Sequence, residues 1–288
     1  MEIGAVFPQT EIGADPGAVL AFARAAEDLG YGHLLAYDHV LGADRRVHRD
    51  LTGPYGIEDT FHEPFVLFAW LAGQTSLGFA TAVLVAPQRQ TALIAKQAAE
   101  VDILSGGGRL RLGLGIGWNR VEYEALGMPF AGRGDRIEDQ IALLRRLWCE
   151  ERVTFDGAGD RVEAVGIAPL PPTRPIPLWL GALAPPALRR VGRVADGWFP
   201  QVRPGAGLEE AMAVVAAAAV EAGRDPAVIG MEGQILAGAG PVARHAEKWR
   251  AAGATHLSVN TLATGAQDVD GHIAALEQAA GELFGPGR

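Results

Sequence analysis

Cysteine occurs once in the 288 residues, at Cys149. That excludes an internal disulfide framework and any Cys-x-x-Cys metal or redox motif, and the thiol, beside Trp148 in a helical pattern, reads as core or half-buried. Lysine occurs twice, at Lys96 and Lys248, each in a helical pattern, so Schiff-base chemistry has no strand-borne lysine to use. Runs of Lys and Arg never exceed two residues and the net charge is −9, which gives nucleic acid and anionic membranes no electrostatic partner surface. No apolar run reaches the roughly 18 residues of a membrane span. The opening MEIGAVFPQT has neither the basic nor the apolar region of a targeting leader. A cytoplasmic protein that handles small molecules is the expectation.

Reactive motifs are equally scarce. Paired histidines of the His-x-His kind are absent, and His62-Glu63-Pro64 does not open a His-Glu-x-x-His motif because the second histidine is missing, so no metal site is expected. No serine stands in Gly-x-Ser-x-Gly, and no pair of acids falls at strand ends where a glycoside would be cleaved.

What is present is core: 49% of the residues are hydrophobic and 20% charged, and strand and helix patterns alternate along the chain. Ile3, Ala5 and Phe7 begin a strand that stops at Pro8, and Asp15-Pro16 then reads as the N-cap and first residue of a helix burying Phe22, Ala26 and Leu29. Residues 33–37 form a second strand that delivers Asp38-His39, and residues 41–62, rich in Gly, Arg, His and Pro, make a long loop at its C-terminal end. A helix at 64–75, a strand at 77–86, a helix burying Ile94, Ala98, Val101 and Leu104, a strand from Leu110 to Ile116 and a helix carrying Ile137, Ile141, Leu144 and Trp148 follow. These make four β/α units. Residues 151–176 break the rhythm with two short apolar stretches around a DGAGD turn, an excursion of the hairpin kind. Strands at 177–181, 197–201, 228–237 and 256–260, with helices at 185–195, 208–223, 241–252 and 268–283, bring the units to eight.

Eight such units predict one domain over residues 1–288, a (β/α)8 TIM barrel with insertions after strand 2 and around residues 151–176. Ligands of such barrels sit at the C-terminal ends of the strands. An open doubly wound sheet fits less well, because the first strand ends in FPQT rather than in a Gly-x-Gly-x-x-Gly turn.

The predicted strand ends carry Gln9, Asp38-His39, Thr81-Ala82-Val83, Trp118-Asn119, Gly181-Ala182, Gln201 and Asn260, a set poor in acids and nucleophiles. In Arg109–Leu126 (RLRLGLGIGWNRVEYEAL), one row of side chains fills an interior, while Gly113, Gly115 and Gly117 in the other let a planar ligand lie against the main chain. The same glycines also suit tight strand packing or a bulge. Few reactive side chains around glycine-smoothed strands suit a bound cofactor that does the chemistry itself.

The segments AAEDLGYGHLLAYDHV (25–40), EPFVLFAWLAGQTSLGFATAVLVAPQR (63–89), SGGGRLRLGLGIGW (105–118), PLWLGALAPPALRRVGRVADGWFP (177–200) and ATHLSVNT (254–261) resemble the luciferase-like superfamily. They are most similar to its branch of coenzyme F420-dependent oxidoreductases. The likeness runs over nearly the whole chain outside residues 41–62 and 151–176. It implies a barrel that binds the deazaflavin F420, or FMN in sister groups, and passes a hydride between F420 and a small organic substrate. The alternatives are an FMN-dependent monooxygenase using reduced flavin and O₂, and a non-catalytic flavin-binding barrel.

By the resemblance, Asp38 and His39 end strand two beside the deazaflavin ring; His39, the only histidine placed at the end of a barrel strand, is the expected catalytic acid–base because an imidazole can take or give a proton at neutral pH. Ala82-Val83 is a non-prolyl cis peptide backing the ring, and Gly115, Gly117, Trp118 and Asn119 line the pocket after strand four. Gly181, Ala182 and Leu183 hold the cofactor phosphate through main-chain amides, although Ala182 and Ala184 stand where relatives often carry glycine and serine. Trp118 replaces the glutamate that follows Gly-x-Gly in the sugar-phosphate dehydrogenases of the group, so a sugar phosphate is an unexpected substrate. Phe65, Phe68, Leu71 and Trp70 make one helix more apolar than a single inward face needs, and a homodimer through that helix and its neighbour is expected.

Overall fold

The computed structural model describes residues 1–157 and 159–285. Strand β1 (Glu2–Val6) leads into α1 (Pro16–Asp28), whose N-terminal amides of Gly17 and Ala18 donate to the Asp15 carboxylate while Pro16 takes the first turn. Then come β2 (His33–Ala36), α2 (Pro64–Ala72) capped by Glu63, the short strands β3 (Gly78–Thr81) and β4 (Leu84–Val85), and α3 (Thr91–Leu104). Strand β5 (Leu110–Gly115) is followed by α4 (Arg120–Ala125) and α5 (Arg133–Cys149). The excursion is an antiparallel hairpin of β6 (Val153–Asp156) and β7 (Arg161–Val165); Ala158, within the expected DGAGD turn, lies outside the described residues. Strands β8 (Leu178–Ala182), β9 (Gly197–Pro200), β10 (Gly230–Leu236) and β11 (His256–Asn260) alternate with α6 (Pro185–Val194), α7 (Ala206–Glu221), α8 (Val242–Ala251) and α9 (Val269–Phe284).

The parallel sheet runs β3-β2-β1-β11-β10-β9-β8-β5 and closes where Phe79 and Ala80 of β3 pair with Leu110 and Arg111 of β5. Strands β3 and β4 are one barrel stave interrupted at Ala82-Val83, with β4 resuming against β5 at Leu84↔Leu114. The result is the expected (β/α)8 barrel. No helix among the described residues is long and apolar enough to cross a membrane.

Most of the core lies between barrel and helices, where Phe22, Phe68, Ile94, Leu112, Trp148 and Leu257 are buried. The barrel interior holds a small apolar cluster of Val6, Leu35, Ala80, Trp179 and Phe199. It also holds an ionic one: Glu232 lies 2.7 Å from His33 and 2.6 Å from Arg111 and accepts from Ser258, while His33 reaches Glu2 at 2.9 Å through its other nitrogen.

Several expectations need correction. Leu104 is 60% exposed, because at the end of α3 the inward face is taken by Val101, Asp102 and Ser105, and Cys149 is exposed at the last position of α5, next to the buried Trp148. The stretch from Val228 enters the sheet only at Gly230, after a single 3₁₀ turn over Pro226–Val228. Phe65, Phe68 and Leu71 are buried within their own chain, leaving Val66 (68% exposed) and Trp70 (39%) as the outward apolar groups of α2. Helix α4, between Trp118 and α5, has no counterpart in the sequence reading.

Candidate active site

Strand β2 ends one residue before Tyr37, so Asp38 and His39 emerge at the C-terminal mouth of the barrel. Their side chains part company, as neighbours on an extended chain do. Asp38 is buried; its Oδ1 meets Arg89 at 2.6 Å and its Oδ2 accepts the Val85 amide at 2.9 Å. Arg89 also reaches Glu63, the cap of α2, at 3.1 Å. Burial pushes the Asp38 carboxyl upward against the pull of Arg89. Asp38 thus ties the exit of β2 to Val85 at the end of β4, two residues after the Ala82-Val83 peptide, which is cis.

His39 turns the other way. Its Nδ1 lies 3.1 Å from Glu122 on α4, and its ring contacts Tyr55, Phe61 and Trp118 with centroids 5.3, 4.9 and 5.4 Å away. Burial raises the Glu122 carboxyl, but hydrogen bonds from His39 and from the amides of Val40 and Leu41 outweigh it and hold the group below its ordinary range.

The turn from β5 to α4 depends on Gly117, which takes φ +60°, and on Asn119, whose carboxamide oxygen caps Val121 and Glu122. Tyr123 locks the turn by donating to the Ile116 carbonyl at 2.7 Å. The indole of Trp118 lies under Gly53 of the long loop, where a Cβ would strike the ring.

These elements enclose a cavity of about 570 Å³, lined mainly by carbon, which contains every expected site residue but one. Asp38, His39, Ala82, Val83, Gly115, Gly117, Trp118, Gly181, Ala182 and Leu183 border it. Asn119 does not; it is buried behind the wall, where it caps α4 and donates to the Leu41 carbonyl at 3.4 Å. At the far rim Pro185 and Pro186 take the first two positions of α6 and bring no amide hydrogens, while the Leu183 and Ala184 N–H groups have no acceptor among the described residues. A second chamber of about 360 Å³ adjoins the first and shares Tyr37, Tyr55, Ala82 and Gln201 with it. Another cavity, about 670 Å³ along α9, is lined mostly by glycine and alanine with a few polar groups, and neither histidine nor aromatic ring lines it.

Gln201, expected at a strand end, lines the first cavity; Tyr37 and Tyr55 as lining groups, Glu122 as the support of His39 and Arg89 as the support of Asp38 were not marked in the sequence. Asn119 and Glu122 have the spacing of a capping box, which marks a helix start, but nothing in that pattern says the glutamate leaves its own helix.

A family model described as luciferase-like monooxygenase matches residues 1–282. An uncharacterized protein of Mycobacterium tuberculosis is 36% identical over 67% of this chain and 68% of its own length. An F420-dependent hydroxymycolic acid dehydrogenase of the same organism is 31% identical over 86% of this chain and 66% of its own. Among solved structures, the F420-dependent tetrahydromethanopterin reductase of Methanopyrus kandleri superposes with TM-score 0.76, at 15% identity and 98% coverage of both chains. A monooxygenase of Streptomyces bottropensis superposes with TM-score 0.77, at 20% identity and 99% coverage of both chains.

Proposed function

The chain belongs to the luciferase-like monooxygenase family, and from that premise we propose that it is an F420-dependent oxidoreductase moving a hydride between the deazaflavin and a small organic substrate. The relative named as an F420-dependent hydroxymycolic acid dehydrogenase supports this reading. The observation that carries it is the placement of Asp38 and His39 beside a cavity floored by Val83, Gly115 and Gly181.

The residues fit such a group. A Cβ at Gly115 would run into Val83 and one at Gly181 would press on it, so the floor is a valine surface between bare main chain, and the cavity has the size of a small-molecule site. F420, when bound, supplies two-electron hydride chemistry. The chain's own groups do the rest. Ala82 and Val83 back the ring, Gly115, Gly117 and Gly181 let it approach the main chain, and Trp118 closes one side. The free amides of Leu183 and Ala184 hold the phosphate together with Ala182, with the two prolines of α6 limiting how many donors that helix end can add. His39 takes the proton from, or returns it to, the substrate oxygen. The substrate occupies the adjoining chamber, next to Gln201 and Tyr37.

Purified protein incubated with reduced F420 and a panel of aldehydes and ketones tests this, with the deazaflavin absorbance as readout. Carbonyl-dependent oxidation is expected. Oxygen-dependent consumption of reduced FMN without any F420 turnover would contradict it.

A further inference from the structure

Glu122 occupies the third position of α4, three residues after its N-cap Asn119. A glutamate there ordinarily folds back onto the amide of the cap residue. This one makes no such bond: it crosses to the exit of β2, where Oε1 accepts the amides of Val40 and, at 3.2 Å, Leu41, and Oε2 meets His39 Nδ1 at 3.1 Å. The side chain is 1% exposed. A carboxylate buried to that degree, away from its local partner, is held by the groups it meets across the fold.

We infer that Glu122 is a positioning residue for His39: it fixes the neutral imidazole as the Nδ1–H tautomer and leaves Nε2 as the nitrogen that exchanges a proton with the substrate. This inference rests on the role proposed above for His39. Glu122, holding three donors, is ionised and has no proton to give, so the hydrogen between it and His39 belongs to the imidazole. With Nδ1 occupied, Nε2 carries the lone pair, and it has no hydrogen-bond partner among the described residues. Asp38, the neighbouring carboxylate, is turned away onto Arg89 and Val85, and the other groups against the ring are Tyr55, Phe61 and Trp118. They hold the ring plane without competing for Nδ1.

The proton step balances in both directions. When a substrate hydroxyl is oxidised, its O–H bond breaks and the proton passes to Nε2, while the hydride leaving carbon would be taken up by F420, the two-electron acceptor of the proposed reaction. In reduction the imidazolium returns the Nε2 proton to the carbonyl oxygen as carbon gains the hydride. Either way Glu122 stays a carboxylate and balances the imidazolium charge.

Glu122→Gln separates this role from mere packing. The amide oxygen can keep Val40 and Leu41, but its NH₂ now faces Nδ1, which must become an acceptor and send the ring proton to Nε2. Nitrogen-15 NMR of the ligand-free full chain with labelled histidine reads the tautomer directly, the His39 signals being those lost in His39→Gln. The expected result is Nδ1–H in the native protein and Nε2–H in Glu122→Gln, with kcat lowered at least about tenfold and KM moved less than about threefold. An Nε2–H tautomer in the native protein, an unchanged tautomer in the variant, or a switched tautomer with unchanged kcat overturns the inference. If Glu122→Gln does not fold, the native tautomer alone decides. The spectrum needs neither cofactor nor substrate, so a failure of the F420 reading would leave the tautomer result standing.

Discussion

Val83 fills the space that a side chain on Gly115 would need: a Cβ built there collides with one of the valine methyls. On Gly181 the same Cβ would stand 3.0 Å from the other methyl, a contact that a small valine shift relieves. Gly115→Ala therefore displaces Val83 and Gly181→Ala only nudges it. Gly115→Ala is expected to lower stability by about 1–3 kcal/mol and weaken F420 binding about tenfold or more, with Gly181→Ala milder on both counts. Thermal unfolding and cofactor titration of the two variants check the order, and unchanged binding in Gly115→Ala would remove Val83 as the support of the ring.

His39→Ala is expected to lower turnover by about 10² or more while cofactor affinity changes less than about tenfold, the pattern of a lost acid–base group rather than a lost binding contact. Near-normal turnover on a true substrate would make His39 a packing residue of the aromatic cluster with Tyr55, Phe61 and Trp118.

The ionic cluster inside the barrel gives stability a pH signature. Burial pushes His33 down, but the Glu232 charge and the bonds to Glu2 and Glu232 outweigh it and raise its pKa above 6.5, so its contribution is full below 6.5 and fades as pH rises through the elevated value. The hydrogen bond from His33 lowers Glu2 to about 2 from its ordinary 4.5. Glu232 is held low by His33 and Arg111 against its burial, so both carboxylates contribute fully above 4.5 and lose their contribution as pH falls through their folded values. Glu232→Gln is expected to cost roughly 3 kcal/mol near pH 6 and less as pH drops below about 4. His33→Gln is expected to cost more near pH 6 than near pH 9. Urea unfolding across pH reads both, and flat differences would contradict the pairing.

Val66 and Trp70 remain on the outer face of α2 after its other apolar groups are buried, beside a groove lined by Pro16, Val19 and Leu67. A homodimer at micromolar concentration is the expected sedimentation result, with Trp70→Glu shifting it to monomer. A monomeric native protein would refute this.

The barrel was legible because period and punctuation agree: Asp15-Pro16, Glu63-Pro64 and Asp268 start helices in sequence and in space. Much of the cavity lining was legible from the barrel pattern, which puts Asp38, His39, Ala82, Val83, Trp118, Gly181, Ala182 and Gln201 at strand ends, whereas Leu183 was marked only through family likeness. What escaped depended on long-range geometry. Glu122 meets a histidine 83 positions away, Arg89 meets an aspartate 51 away, and Tyr55 sits in a loop without period. Leu104 and Cys149 differ in exposure from their buried neighbours Asp102 and Trp148 by their place around the helix, and at the end of α3 and of α5 the spacing did not fix which residues face inward.

Equilibrium titration of the purified protein with F420 and, separately, with FMN, followed by the fluorescence of each ligand, bears most directly on the proposed function. Saturable binding of F420 at least about tenfold tighter than FMN, weakened by Gly115→Ala, is the predicted result. Tighter binding of FMN, with no saturable binding of F420, would contradict it.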